Sequence, residues 1–566
     1  MMVYYLLRLA TLVFIGLLVY GQTFQFGFVF DDHLFIVTNP FIKNFSNFHL
    51  MWHVFPLTRL VGMYSFALNY YFNQLQPQGY HVFNFVVHLV NALLVWALAD
   101  LLFKATKFFS TEDRVTKEIP FIIAIIFLVH PCQTQAVTYI AQRFESMATM
   151  FYLATIYVYL RARLSMVFGH KVILFMMAGL FAALGILTKE VMITVPVMIL
   201  ISEWILFPKK INKEMYFVLI VASVSLYLLF SRLVHADLRV FTQPFHSESH
   251  DGDFLTPAQY VLTQMRVFLT FIRLLILPIH QNLDYDYPGS TGLLNPPMTL
   301  VGMSVILGII FLILKIRRRK PLIAFGLAWG LITFSINLVP RSNVIFEHKL
   351  YLISFGFILT FVAVLYILVR NRGTLLRILC CIIVLLSIFS FERNKVWSNE
   401  VALWEDIIKN SPNKARVNAN LGRVYGSIGR YDEAINYLSR AIAISPDNIS
   451  YENRGVIEAE QGRSDQALKD LNKSVAMDPN YFSVYVKRSW VYQIQHRYEE
   501  ALTDLAHAIA LEPYSTDAYL ERGILWQSLG HNQEALNDFQ QVLKIDPFNG
   551  LAAQYRTNCL KQLNHD

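Results

Sequence analysis

Five short stretches place acids, bases and cations where an apolar chain has little reason to keep them. They are Phe-Asp31-Asp32-His33; His130-Pro131 with Gln135, Arg143 and Glu145; Thr188-Lys189-Glu190; Asp284-Tyr-Asp286-Tyr; and Glu347-His348-Lys349-Leu350-Tyr351. A charge at membrane depth costs about 2.5–3.5 kcal/mol on insertion scales, so each needs a reason. Paired carboxylates deprotonate a hydroxyl or hold a divalent cation. Lysine, arginine and histidine bind phosphate oxygens and stabilise a phosphate leaving group. Together they suit a substrate with a lipid tail and an anionic head. Each stretch also has a plain structural reading. Asp31-Asp32 caps a helix beginning near His33. Lys189-Glu190 is an interfacial pair with a snorkelling lysine. His130-Pro131 ends a span, Glu347 pairs with Lys349, and Asp284 and Asp286 are turn residues.

The surrounding chain is of the membrane class. Of 566 residues, 55% are hydrophobic and 16% charged, against roughly a quarter charged in soluble proteins. The length implies at least two domains. Apolar runs fill residues 1–391, whereas 392–566 read as soluble helix. The net charge of +8 comes mostly from connectors between apolar runs, so topology explains it and nucleic acid is not a partner. Four cysteines give no disulfide framework and no CxxC metal pattern. The run Tyr4 to Tyr20 is followed by no A-x-A-like cleavage site and reads as a retained anchor.

A spanning helix needs roughly 20 mostly apolar residues. Runs that qualify lie near 4–21, 81–103, 119–136, 146–163, 171–188, 191–207, 215–234, 299–316, 321–340, 351–370 and 375–391. Lys104, Lys107, Arg114, Lys117, Arg161, Arg163, Lys171, Lys209, Lys210, Lys213, Lys315 to Lys320, Arg370, Arg372 and Arg377 crowd one set of connectors. That set is therefore cytoplasmic. The stretch 259–278 carries Arg266 and Arg273 and reads as an interfacial or re-entrant helix. About eleven crossings result, with the N-terminus inside and the C-terminus outside. All five charged stretches then fall at outer span ends, on the side of the soluble domain, and can converge on one site.

The soluble part repeats. Pro412, Pro446, Pro479, Pro513 and Pro547 are 33 or 34 residues apart, the period of a tetratricopeptide (TPR) array. Ala434, Ala467, Ala501 and Ala535 recur where paired helices must approach closely. The second repeat is weaker, with Arg454 and Glu458 in place of apolar residues. A half repeat around Trp397 to Ser411, about four repeats and a capping helix at 551–566 complete the array. Such an array is either a bare scaffold or a concave groove for a partner; Arg423 and Trp490 are groove candidates.

The whole is all-α: a polytopic helical membrane domain, then a TPR α-solenoid. Multi-span half, early Asp-Asp and C-terminal array together resemble the transmembrane and tetratricopeptide-repeat (TMTC) family, glycosyltransferases of the GT-C class linked to protein O-mannosylation. The matching stretches are Phe-Val-Phe-Asp31-Asp32-His33 with Asn39-Pro40, His130-Pro131 through Thr134 to Ala136-Val137, Leu-Thr-Lys189-Glu190 with Thr194, and Glu347-His348-Lys349-Leu350-Tyr351-Leu352. Gln135 departs, standing where relatives often carry glutamate.

The resemblance implies a sugar donor on a polyprenyl phosphate and a hydroxyl acceptor, such as a protein Ser or Thr. Asp31 or Asp32 is then the general base. Arg143, Lys189, His348 and Lys349 bind the donor phosphate, with His33, His130, Glu190, Glu347 and Tyr351 in support. A divalent metal is left open. Glu-His-Lys-Leu-Tyr looks like the bacterial branch, which implies an inner membrane with the array periplasmic. The alternative is the endoplasmic reticulum with the array lumenal, and sequons at Asn44, Asn448 and Asn472 do not decide. Against the enzyme stand a membrane-anchored TPR scaffold for envelope assembly, which leaves Asp31, Asp32 and Lys189 without a role, and a lipid-linked-sugar transporter, which needs polar residues deep in the spans.

Overall fold

The computed structural model describes residues 2–43, 56–109, 114–208, 255–341 and 343–564. The expected span 215–234, Lys209, Lys210, Lys213 and the sequon at Asn44 lie outside them. Chain contacts divide the protein into two compact units, Met1–Leu403 and Trp404–Asp566.

In the first unit, seven helices among the described residues are long and apolar enough to cross a bilayer: Val3–Gln25, Pro77–Ala105, Phe168–Ile186, Met298–Ile316, Pro321–Leu338, Glu347–Leu368 and Arg372–Lys395. Val115–Val129 and Pro131–Val137 make an eighth if their 56° bend lies within one span. Two further runs form helices that miss the criterion. Arg143–Leu164 carries Arg143, Glu145, Arg161 and Arg163. The run at 191–207 is broken by a 3-10 turn, Glu190–Thr194, which leaves a helix of 12 residues, Val195–Leu206. That helix rises about 18 Å, short of the ~30 Å hydrocarbon layer. Pro257–Ile276 starts in a capping box, Thr256 with Gln259, and bonds Arg266 to the carbonyl of Pro288 and Arg273 to that of Ile279.

Arg143–Leu164 is the hub despite its charges. It packs against Pro77–Ala105 and Phe168–Ile186, with Phe151, Tyr152, Ile156 and Leu160 buried. Small residues let other helices close up. A Cβ on Gly326 would lie 2.8 Å from the carbonyl oxygen of Gly356, so Pro321–Phe334 and Leu350–Leu368 touch backbone to backbone there. Outward faces are apolar: Met176, Leu180 and Phe311 are exposed, as a lipid-facing surface requires.

The second unit alternates helices in pairs: Ala415–Ser427 with Tyr431–Ile444, Asn448–Glu460 with Ser464–Met477, Phe482–Ile494 with Tyr498–Leu511, and Thr516–Ser528 with Asn532–Ile545. Gly550–Leu563 follows. Ala434, Ala467, Ala501 and Ala535 are fully buried at the pair contacts. The turn within each pair needs a left-handed residue. Gly429, Gly462 and Gly530 supply it at φ near 80°, whereas His496 fills the third turn at φ 56°.

The apparent weakness of the second repeat is a charge pair. Arg454 bonds both oxygens of Asp470 at 2.6 and 2.9 Å. Arg488 does the same to Asp504, and Arg522 to Asp538. Each pair bridges the two helices of its repeat with a bidentate fork. Leu421 and Tyr437 hold the corresponding places in the first repeat.

Candidate functional site

Leaving the first helix, the chain runs extended to Phe30 and turns through a short π-helix, His33–Val37. The carboxylate of Asp32 does not cap that turn. It is fully buried and accepts from the backbone amides of Val29 at 3.0 Å and Ala141 at 2.6 Å. Burial outweighs both bonds and pushes its pKa up to about 8. Asp31 is half-buried. Its amide donates to the Tyr139 hydroxyl at 3.1 Å, and its carboxylate also bonds that phenol. Tyr139 is held flat against Trp397, ring centroids 5.2 Å apart. His33 stays half-exposed, 3.8 Å from Glu400.

A few residues on, Glu145 is buried and takes the Lys189 ammonium at 2.8 Å. Burial lowers the Lys189 pKa and Glu145 partly restores it. Next to it, Glu190 accepts Arg341 at 2.6 Å and lies 3.5 Å from Arg59. Burial acts against the Glu190 charge, yet Arg59, Arg341 and Lys189 hold its pKa well below the carboxylate range. Lys349 faces the same narrow cleft as Glu145, Lys189, Glu190 and Arg341. Its ammonium is 5.2 Å from the Phe346 ring, and no hydrogen bond or ion pair reaches it among the described residues. His348 stacks on Phe346, and its Nδ1 is buried without a partner among the described residues. Cations therefore outnumber carboxylates in this cleft, with donors to spare.

One segment joins the two halves. Tyr139 meets Asp31, Ala141 meets Asp32, and Glu145 meets Lys189. The acidic loop and the cationic cleft are thus fixed to the same short run of backbone.

Other expected residues do structural work. Arg143 is fully buried. Its Nε donates to Asn84 at 2.6 Å, Nη1 to the Ser65 carbonyl at 3.2 Å and Nη2 to the Tyr80 carbonyl at 3.1 Å. Phe66 and Phe83 sandwich the guanidinium at 4.4 and 4.3 Å. With each of its three nitrogens bonded to the protein and the side chain fully buried, Arg143 braces the bundle here, whereas the sequence suggested a ligand for the donor phosphate. Glu347 does not pair with Lys349. It accepts from the Asn282 amide at 2.6 Å, from Gln281 at 3.1 Å and from the Tyr285 hydroxyl, pinning the stretch around Asp284. His130 spans the Cys132 amide and the Leu275 carbonyl. Tyr351 lies inside the bundle, 2.6 Å from His88 Nδ1 and 3.0 Å from Asn91. The bundle interior is thus more polar than the sequence suggested, since His81, Asn84, His88 and Asn91 are all buried along Pro77–Ala105.

Arg341 lines the cleft and Arg59 stands beside it, 3.5 Å from Glu190, and neither was among the expected site residues. The available signal was position: each is a lone cation beside an apolar run on the side poor in lysine and arginine. Gln135 is buried, and neither side-chain polar atom has a hydrogen-bond partner among the described residues. Among the described residues, no three His, Cys, Asp or Glu side chains gather closely enough to hold a metal ion. In the second unit, Arg423 and Trp490 take the same place on the first helices of their pairs. Both are half-buried, Trp490 against the apolar core of its repeat.

A tetratricopeptide-repeat family profile matches residues 401–449 and 419–482. A protein O-mannosyl-transferase of Caenorhabditis elegans is 27% identical over 79% of this chain and 63% of its own. Human protein O-mannosyl-transferases TMTC1 and TMTC3 are 24% and 25% identical, over 77% and 76% of this chain and 55% and 50% of theirs. The chain thus spans about half to three-fifths of the length of these relatives. Among solved structures, MamA is 22% identical over 26% of this chain and 86% of its own, with a TM-score of 0.23. The membrane half and the repeat array align together with these relatives, so the chain is similar to the transmembrane and tetratricopeptide-repeat family in both parts.

Proposed function

We propose that the protein is a GT-C-type membrane glycosyltransferase that moves a sugar, such as mannose, from a polyprenyl phosphate to a hydroxyl of a protein. The observation that carries this reading is the single segment Tyr139–Glu145 that fastens a half-buried carboxylate and a cationic cleft together. The names of the relatives support the reaction class.

Of the two aspartates, Asp31 is the base, because the carboxylate of Asp32 is sealed against backbone amides. Asp31 takes the proton of the acceptor hydroxyl. The oxygen attacks the sugar C1, the C1–O bond to phosphate breaks, and its electron pair leaves on the polyprenyl phosphate. That leaving group gains a negative charge. Lys349 and His348 are the candidates to receive it, with Lys189 held by Glu145 and with Arg341 and Arg59 held by Glu190. A phosphate leaves without a general acid. The side of the membrane follows the lysine and arginine bias, with the cleft facing periplasm or lumen, and the TPR groove presents the acceptor protein.

Purified Asp31→Asn, offered a labelled lipid-linked sugar and acceptor, should lose transfer by about a hundredfold or more. Wild-type transfer by that variant removes Asp31 as the base.

A further inference from the structure

The far end of the bundle carries a cavity that transfer does not use. It measures about 870 Å3. Lys104 on its wall stands 20 residues along the helix from Asn84, the partner of Arg143, a rise of about 30 Å. The cavity and the cationic cleft are therefore separated by a hydrocarbon thickness.

Five cations face this cavity: Arg8, Lys104, Lys107, Lys117 and Arg161. Among the described residues, carboxylates on its wall are fewer. Asp100 already holds Lys104 at 2.6 Å, and Glu118 holds Arg8 at 2.5 Å. Arg8 is buried on a membrane-crossing helix, its guanidinium 3.8 Å from the Tyr4 ring centroid and 5.1 Å from that of Trp96. At the rim Lys107 has φ 47°, a left-handed backbone that lysine rarely adopts.

Topology alone asks only for lysine and arginine in water-exposed connectors. It does not ask for a cavity, nor for an arginine caged by aromatic rings inside a span. A space of this size between helices at headgroup depth fills with lipid, and its walls choose which. Tyrosine and tryptophan favour the interfacial layer, and basic pockets between helices take anionic heads.

We propose that the cavity holds the phosphate head of an anionic membrane lipid, its tail lying against Tyr5 and Trp96. Glycerophospholipids and polyprenyl phosphates both offer this chemistry. The site stands apart from the transferase reading and survives its failure.

The test is native mass spectrometry of the full chain titrated with phosphatidylcholine, phosphatidylglycerol or undecaprenyl phosphate. Wild type should retain at least one anionic lipid fivefold or more above phosphatidylcholine. The anionic lipid that is retained names the source, and equal retention of both shows that phosphate alone is read. Lys107→Gln with Arg161→Gln changes two exposed residues and should abolish the preference. Asp31→Asn should keep it, which separates this cavity from the transfer site. Equal binding of phosphatidylcholine, or wild-type preference in the double variant, overturns the proposal. A photoreactive phosphatidylglycerol on unmodified protein gives an independent reading. Label should fall on residues 96–109 and 157–161. Label confined to the lipid-facing helices Phe168–Ile186 and Met298–Ile316 also overturns it.

Discussion

Lys189 and Glu145 meet at 2.8 Å with both side chains nearly sealed from solvent. Breaking such a pair on one side strands the other charge, at a cost of about 3–5 kcal/mol. Glu145→Gln should lower the melting temperature of the purified protein sharply. Adding Lys189→Met to it should recover much of the loss. A double variant no more stable than the single one would mean the pair is not coupled.

Lys349 and Arg143 should part company under mutation. Among the described residues no hydrogen bond or ion pair reaches the Lys349 ammonium, so Lys349→Gln should leave melting nearly unchanged and cut transfer about a hundredfold. Arg143→Gln removes bonds to Asn84, Ser65 and Tyr80 and should instead cost folded protein. Yield after size exclusion and turnover per folded molecule separate the two outcomes.

Asp32 carries a pH signature. Its folded pKa of about 8 exceeds the free value of 3.8, so the native state keeps a proton that the unfolded chain releases. Its contribution to stability is full below the free value and drains away as pH rises through about 8. Between pH 5 and pH 9, wild type should lose more stability than Asp32→Asn. Parallel curves would show that the carboxyl is not held protonated.

His496 occupies a left-handed turn that glycine fills in three sister repeats. His496→Gly should relieve about 1 kcal/mol of backbone strain, less what the 2.9 Å contact with Tyr498 supplies. Hydrogen–deuterium exchange in Phe482–Ile494 and Tyr498–Leu511 of the full chain should slow.

Much of this was legible from the chain. Regular prolines and buried alanines announced the array, because a stacked repeat must return to the same contact at the same interval. Lys189 and Lys349 stood out because a cation beside an apolar run is costly. Arg143 looked the same in sequence, and its bonds to Asn84, Ser65 and Tyr80, which come from 59 to 78 residues away, were invisible. Asp32 misled similarly, since its partner Ala141 is 109 residues distant and offers only a backbone amide. The run at 191–207 read as one continuous span because it is apolar almost throughout, although Pro196, in the first turn of Val195–Leu206, marks the helix start that follows the 3-10 turn over Glu190–Thr194.

The forks between Arg454 and Asp470, Arg488 and Asp504, and Arg522 and Asp538 each close within one repeat. Every such unit balances its own charges, and the reach of Arg454 to Ser439 and of Arg488 to Asn472 in the preceding repeat involves only neutral groups. Whole units can then be duplicated or deleted without leaving an orphaned charge behind, so the length of the array can drift between relatives while the membrane half, whose ion pairs tie distant segments together, stays constrained.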